Sequence, residues 1–249
     1  MKIIVFGATG NMGRRVLASA VRTGHDVTAF VRNPEKLMEQ QGEPIAGQVN
    51  IVAENILDPQ SVYQALSHQD AAIIAAGSVA NGEEFIRIVD NIVTSCEDHP
   101  QFAGRVWVMG GAGLLEIPHT SKIGNDLPGI PPMFRYHNEN WDRLRRTKLD
   151  WSFLCPGTMV DGTEEERPGF VHVSADLLPI AFPESTQELS EAELSGLLFS
   201  RLSELDVAYE DAAEVMLSHL ELSGPFKGRR VGVAYRNGEV VSNQAEVGR

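Results

Sequence analysis

The segment Lys2-Ile3-Ile4-Val5-Phe6 runs straight into Gly7-Ala8-Thr9-Gly10-Asn11-Met12-Gly13, and this junction constrains the chain more than any other feature. Ile3 to Phe6 is an apolar run of strand length. Asn11 to Thr23 then places Met12, Val16, Leu17, Ala20 and Val21 at three- and four-residue spacing, the period of an amphipathic helix ending near Gly24. In a strand–turn–helix unit of this kind the first glycine permits the tight turn and the second lets backbone approach a pyrophosphate. The third lets helix and strand pack closely. The helix N-terminus adds unpaired N–H donors and a partial positive charge. With its strand before it and its helix after it, the pattern Gly7, Gly10, Gly13 reads as a dinucleotide-binding turn; without a ligand the same residues would make only a tight turn.

The remaining chain repeats this alternation. Strands are predicted over Asp26–Val31, Val49–Ala53, Asp70–Gly77, Arg105–Met109 and Trp151–Leu154, with helices over Glu35–Gln41, Ser61–Leu66, Glu83–Cys96 and Met133–Thr147. The implied fold class is α/β: a doubly wound parallel sheet, the Rossmann fold, with a small irregular C-terminal substrate region. The Gly- and Pro-rich stretch Gly110–Pro132 interrupts the rhythm. After Gly157 come an acidic turn, Glu164–Glu166, a half-exposed strand Phe170–Ser174, and a stretch of unclear period, Leu177–Ser203. A helix Tyr209–Leu222 and a strand Arg229–Tyr235 follow. Residues 1–249 thus read as a single domain, with 158–206 as a substrate or lid segment and 236–249 as a polar, flexible tail.

A formal net charge of -13 argues against nucleic acid and anionic membranes as partners, so an anionic ligand must meet a locally basic spot. The end of the second predicted strand supplies one. An NAD site usually carries Asp or Glu there, whereas an NADP site uses an arginine for the 2′-phosphate. Here the strand ends in Phe30-Val31-Arg32, about twenty residues past the glycines, and Arg32 can pair bidentately with a phosphate. NADP(H) is therefore expected ahead of NAD; Arg14 and Arg15 read as solvated surface groups. The two cysteines, Cys96 and Cys155, read as buried small side chains, and no Cys/His spacing predicts a metal.

Several stretches together resemble the atypical and extended short-chain dehydrogenase/reductase superfamily, and within it the NmrA-like, NAD(P)H-binding group that includes flavin and biliverdin reductases. They are GATGNMG at the N-terminus, Phe30–Pro34, Asn55–Asp58, Arg105–Gly113 and Leu149–Gly157, with Glu210–Glu214 later in the chain. The resemblance implies that Thr9, Asn11 and Met12 line the phosphate and nicotinamide region. It also implies that Asn55 and Ile56 flank the adenine, where the family more often has Asp at the position of Asn55. Ala75, Ala76 and Gly77 would pass under the ribose, and Pro156 would complete the cofactor-binding set.

Short-chain reductases typically pair Ser or Thr with Tyr-x-x-x-Lys, the lysine lowering the tyrosine pKa so that it donates a proton. This chain departs twice: Gly110-Gly111-Ala112-Gly113 stands at the serine position, and Tyr136 is followed four residues on by Asn140. Tyr136 and His137 remain as catalytic candidates, His137 where related reductases carry a histidine. The expected function is an NADP(H)-dependent oxidoreductase passing a hydride directly to a conjugated or aromatic small molecule such as a flavin or quinone. The first alternative is a non-catalytic NADP-sensing regulator, a role NmrA itself fills, with Gly110–Pro132 or Asp161–Asp206 as the moving surface. The second, a nucleotide-sugar epimerase or dehydratase, is disfavoured by the missing Tyr/Lys pair. The expected location is the cytoplasm and the expected state a monomer or homodimer acting on a small-molecule substrate. Trp107 and Trp151 are expected in the core, Trp141 in the pocket wall or the helix packing. Leu114, Leu115, Ile117, Ile130 and Met133 would form either a substrate lid or a cap on the sheet.

Overall fold

A computed structural model describes residues 1–162 and 170–235, so the acidic turn Glu164–Glu166 and the tail 236–249 lie outside the described residues. Ten strands are seen in them: β1 (Lys2–Phe6), β2 (Asp26–Val31), β3 (Val49–Ala53), β4 (Ala71–Ile74), β5 (Arg105–Met109), β6 (Asp150–Pro156), β7 (Met159–Val160), β8 (Val171–Ala175), β9 (Val207–Ala208) and β10 (Arg229–Tyr235). The helices are α1 (Asn11–Arg22), α2 (Pro34–Gln41), α3 (Glu43–Ala46), α4 (Pro59–Ala65), α5 (Gly82–Asp98), α6 (Arg135–Leu144), α7 (Glu191–Ser200) and α8 (Tyr209–Leu217).

Eight strands form one sheet in the order β3-β2-β1-β4-β5-β6-β10-β8, parallel except for β8, which runs antiparallel to β10; β7 and β9 form a separate pair. Period-two alternation assigns the side chains of β1 to two cores. Ile3 and Val5 join Val16, Leu17 and Ala20 of α1 and Ala212 and Met216 of α8, whereas Ile4 and Phe6 join Val62 beside α5's Ile88, Val89 and Ile92. Both faces are covered, which explains why the central strands are apolar throughout rather than alternating.

Local sequence fixes the helix starts. Asn33 accepts a hydrogen bond from the Lys36 N–H, with Pro34 at the first helical position, and Asp58 does the same for Gln60 ahead of Pro59. Ser190 and Glu193 form a reciprocal capping box on α7, a helix inside the stretch whose period is unclear in the sequence.

Several predicted boundaries are corrected. β4 stops at Ile74 instead of Gly77, because its partner β1 ends at Phe6: the Ala75 N–H makes one last bond to the Phe6 carbonyl at 2.9 Å, and Gly77 stands at φ +94°. The α6 helix starts at Arg135, after a 3-10 turn over Pro132–Phe134, and ends at Leu144. α8 ends at Leu217 rather than Leu222, and β6 runs on through Cys155 and Pro156 because β10 pairs with both.

The Gly110–Pro132 stretch is a packed cover on the sheet. Leu114, Leu115 and Ile117 are fully buried, so they cap the sheet rather than form a lid, whereas Ile130 is half-buried and Met133 is exposed. Asn125, 3% exposed, donates to the Phe134 carbonyl and to Asn138, and buried Arg230 reaches the Leu114 carbonyl and Glu116. The guanidinium of Arg230, on β10, lies 4.3 Å from the centroid of Trp141, whose ring packs partly buried against the core. Trp107 and Trp151 are core residues as expected. Cys96 and Cys155 are buried, and burial raises both thiol pKa values, that of Cys155 to about 12.

Beneath the other face Arg105 is 2% exposed. It donates to the Asp150 carboxylate at 3.2 Å and to the Asp150 and His219 carbonyls, and stacks on Trp107. Removing one member of a buried pair leaves a desolvated charge. Asp150→Ala is accordingly expected to lower the unfolding free energy by about 3 kcal/mol in urea titration, and an Arg105→Met/Asp150→Leu double substitution to recover most of it. A loss as large in the double variant would refute the account.

Candidate cofactor and substrate site

Strand order reverses between β1 and β4, and ligands of open α/β sheets bind in the crevice that opens at such a point. Gly7 leaves β1 there at φ +83°, and a Cβ on it would fall 2.6 Å from the Ala75 carbonyl oxygen and 2.7 Å from the Ala76 nitrogen. A Cβ on Gly13 would overlap the Gly7 carbonyl oxygen. The Gly10 N–H donates to that same oxygen at 2.9 Å, closing the turn. Gly10 is the N-cap of α1 without any side-chain cap, and the helix carries no acid in its first turn. The opening amides of α1 are thus left for an anion, as a bound pyrophosphate requires.

A cleft of about 760 Å³ spreads from this turn across the ends of β1, β2, β3 and β4. It brings together most of the predicted residues: Gly7, Thr9, Gly10, Arg32, Asn55, Ile56, Ala75, Ala76 and Gly77 all line it. Met12 and Gly13 are buried behind the turn instead, Asn11 is exposed at the helix start, and Pro156 ends β6 away from this cleft. Asn55 has a local task as well, its Oδ1 accepting from the Leu57 N–H at 3.0 Å.

Sequence reasoning missed Lys36, which lines the cleft beside Arg32. The signal was available: Asn33 and Pro34 start α2, so Lys36 falls in its first turn, just after the arginine. Both cations are exposed, and neither pairs with an acid among the described residues. Two supports of the turn were also invisible in sequence: Gln40 and Gln41 of α2 donate to the carbonyls of Thr9 and Arg14. The reading of Arg15 as solvated is overturned. It pairs with Glu210 at 3.2 Å and with Asp161, and lies over the Tyr209 ring, fastening α1 to α8. The Arg14 Nε is likewise buried, with no partner among the described residues.

At the other side of the crevice, α6 carries the two catalytic candidates. Tyr136 packs its ring against Gly82, its Cε2 overlapping the position where a Cβ on that glycine would stand. His137 meets the edge of Phe85, a cleft residue, at 5.5 Å between ring centroids, and its Cδ2 and Nε2 lie within 3.5 Å of the Cβ position of Gly111. Burial pushes the His137 pKa down to about 4, so the imidazole is neutral near pH 7. One turn further, Asn140 is 1% exposed with its Nδ2 unpartnered among the described residues, as is the Nδ1 of His137.

The titration has a consequence for stability. Below its ordinary value of 6.5 the unfolded chain protonates His137 while the folded chain cannot until about pH 4, so stability is lost as pH falls through that window. Between pH 7 and pH 5 the contribution is about 2 kcal/mol. Urea unfolding should show a smaller pH dependence in His137→Gln, and an unchanged dependence would refute it.

The cradle and the two unpaired cations fit a dinucleotide. Residues 7–178 match the model of the NAD(P)H-binding family. The chain belongs to this family. The Bacillus subtilis (strain 168) protein YwnB is 30% identical over 170 residues, spanning 65% of this chain and 74% of its own. A solved structure from Burkholderia pseudomallei is 27% identical at a TM-score of 0.70, covering 94% of this family member and 100% of that chain. A candidate NADH-flavin reductase of Streptococcus pneumoniae TIGR4 shares the fold at 22% identity and a TM-score of 0.65, covering 95% of this chain and 100% of its own. No helix among the described residues is long and apolar enough to cross a membrane.

Proposed function

We propose that the chain is an NADPH-dependent reductase that transfers a hydride to a flat, conjugated acceptor, such as a flavin or quinone, by positioning rather than by acid catalysis. The observation that carries this reading is the composition of α6. The helix offers Asn140 where a lysine would tune the tyrosine, a tyrosine packed against Gly82, and a histidine that is neutral near pH 7. Such a wall has no group ready to release a proton to an alkoxide. It suits an acceptor that takes up a hydride into a delocalised system and finishes its protonation from solvent.

The nicotinamide, when bound, supplies the hydride. The chain's own part is binding and orientation. The uncapped α1 N-terminus holds the pyrophosphate, and Arg32 and Lys36 select the 2′-phosphate. Ala75, Ala76 and Gly77 leave room beneath the ribose, and Phe85, backed by the edge contact of His137, gives the cleft an apolar side. The likeness to the candidate flavin reductase agrees with this choice of acceptor.

The test is NADPH oxidation by the purified chain with FMN, riboflavin and menadione, set beside simple aldehydes and ketones. Turnover is expected on the conjugated acceptors alone. Reduction of simple aldehydes at comparable rates would sink the positioning mechanism. Tight NADPH binding with turnover on none of them would replace the reductase with an NADP-sensing regulator.

A further inference from the structure

The cofactor cleft occupies the carboxyl end of the sheet. At the amino end a second cavity, of about 510 Å³, opens between the connections α5–β5, α6–β6 and α8–β10. Phe102 and Leu149 give it an apolar lining, and Leu222 stands 51% exposed in its wall. Three cations also line it: Arg146, Lys148 and Lys227. Arg146 and Lys148 are exposed with no acid partner among the described residues, and Lys227 has Asp150 at 4.0 Å.

The carboxylates of the wall offset this charge only in part, because each is already engaged and only Asp150 reaches a cation of the cavity, Lys227 at 4.0 Å. Glu97 is held by Arg143 at 2.8 Å. Asp150 is held by buried Arg105 at 3.2 Å and by the backbone N–H of Ser223, a non-glycine residue at φ +59°. A chain of net charge -13 therefore leaves three cations around one concave, partly apolar surface. The cofactor cleft shows the same combination in Arg32 and Lys36. Clustered, weakly paired cations on a cavity raise the local concentration of anions and supply charge-assisted hydrogen bonds, the arginine as a planar fork and the lysines as point charges.

We propose that this cavity is a second ligand site, for a phosphorylated small molecule of nucleotide size. The phosphate lies among Arg146, Lys148 and Lys227, and the organic body rests on Phe102, Leu149 and Leu222. The site is independent of the cofactor cleft and of the reductase reading.

The test is an NMR titration of the 15N-labelled full chain at low salt, first with pyrophosphate and then with AMP. Saturable shifts are expected at the amides of Gly104, Lys148 and Ser223, separate from those at Gly10 and Asn11. Arg146→Ala/Lys148→Ala removes two exposed side chains without acid partners, so the fold should be kept. It should weaken the first set by about tenfold or more and leave the second unchanged. Shifts confined to the glycine turn would overturn the proposal, as would an equal affinity in the double variant. Shifts at these amides with pyrophosphate but none with AMP would also overturn it, by reducing the site to a general anion contact.

Discussion

Gly7→Ala is expected to eliminate measurable NADPH binding and to lower the unfolding free energy by about 3–5 kcal/mol, the sum of a left-handed backbone penalty and overpacking. Two causes act at this residue. Its φ of +83° is unfavourable for any side chain, and the added Cβ would meet the backbone of Ala75 and Ala76, which cannot rotate away. Moving that backbone displaces the junction of β1 and β4 on which the pyrophosphate turn is built. Gly24→Ala separates the causes, since Gly24 has a φ of +78° but nothing within 4 Å of its Cβ position. It should cost only about 1 kcal/mol and leave cofactor affinity alone. Urea unfolding and NADPH fluorescence titration of both variants measure this. Equal losses in the two would show that backbone strain, not the close approach to β4, governs the turn.

Replacing both Arg32 and Lys36 by Ala is expected to weaken NADPH about a hundredfold while leaving NADH nearly unchanged. Hydrogen bonds to charged groups are worth about 1.5–3 kcal/mol each, and the solvent-exposed setting puts both at the lower end; together they give about 3 kcal/mol. The single variants should each lose about tenfold. Because the cations are exposed and unpaired among the described residues, the melting temperature should not fall, so a loss of affinity is not a loss of fold. Equal weakening of NADH would move these cations from the 2′-phosphate to the pyrophosphate. No change in either affinity would remove them from the cofactor site, and with them the preference for NADPH.

The legible parts of the sequence were those decided by neighbours in the chain. The bounds of β1, β2, β3, β5 and β10 could be read directly, because strands of such a sheet are short Val- and Ile-rich runs between polar or turn-forming residues. The cradle Gly7–Gly13 and the basic end of β2 were legible for the same reason. β4 was read too long because Ala75–Gly77 are as apolar as the strand before them, and the ladder ends only because β1 gives way to its glycine turn after Phe6. Leu114, Leu115 and Ile117 had two readings, as lid or cap, because hydrophobicity alone does not say which surface a loop covers. The ion pair of Arg230 with Glu116 and the packing of Trp141 on Arg230 decide for the cap. The four-residue α3 and the two-residue pair β7–β9 are too short to leave a periodic trace.

The sequence by itself determined the doubly wound α/β class, the place of the glycine turn between β1 and α1, and the departure from Tyr-x-x-x-Lys, since each is a property of residue type at fixed spacing. The tertiary structure alone decided which distant groups share a surface. Lys36 joins Arg32 on the cofactor cleft, Arg15 fastens α1 to α8, Tyr136 closes on Gly82, and burial makes His137 neutral. Arg146 and Lys227 line one cavity although four strands, β6 to β9, and the helices α7 and α8 separate them in sequence. Charge, burial and clash are set by distances through space, and those exist only once the sheet has brought the ends of its strands together.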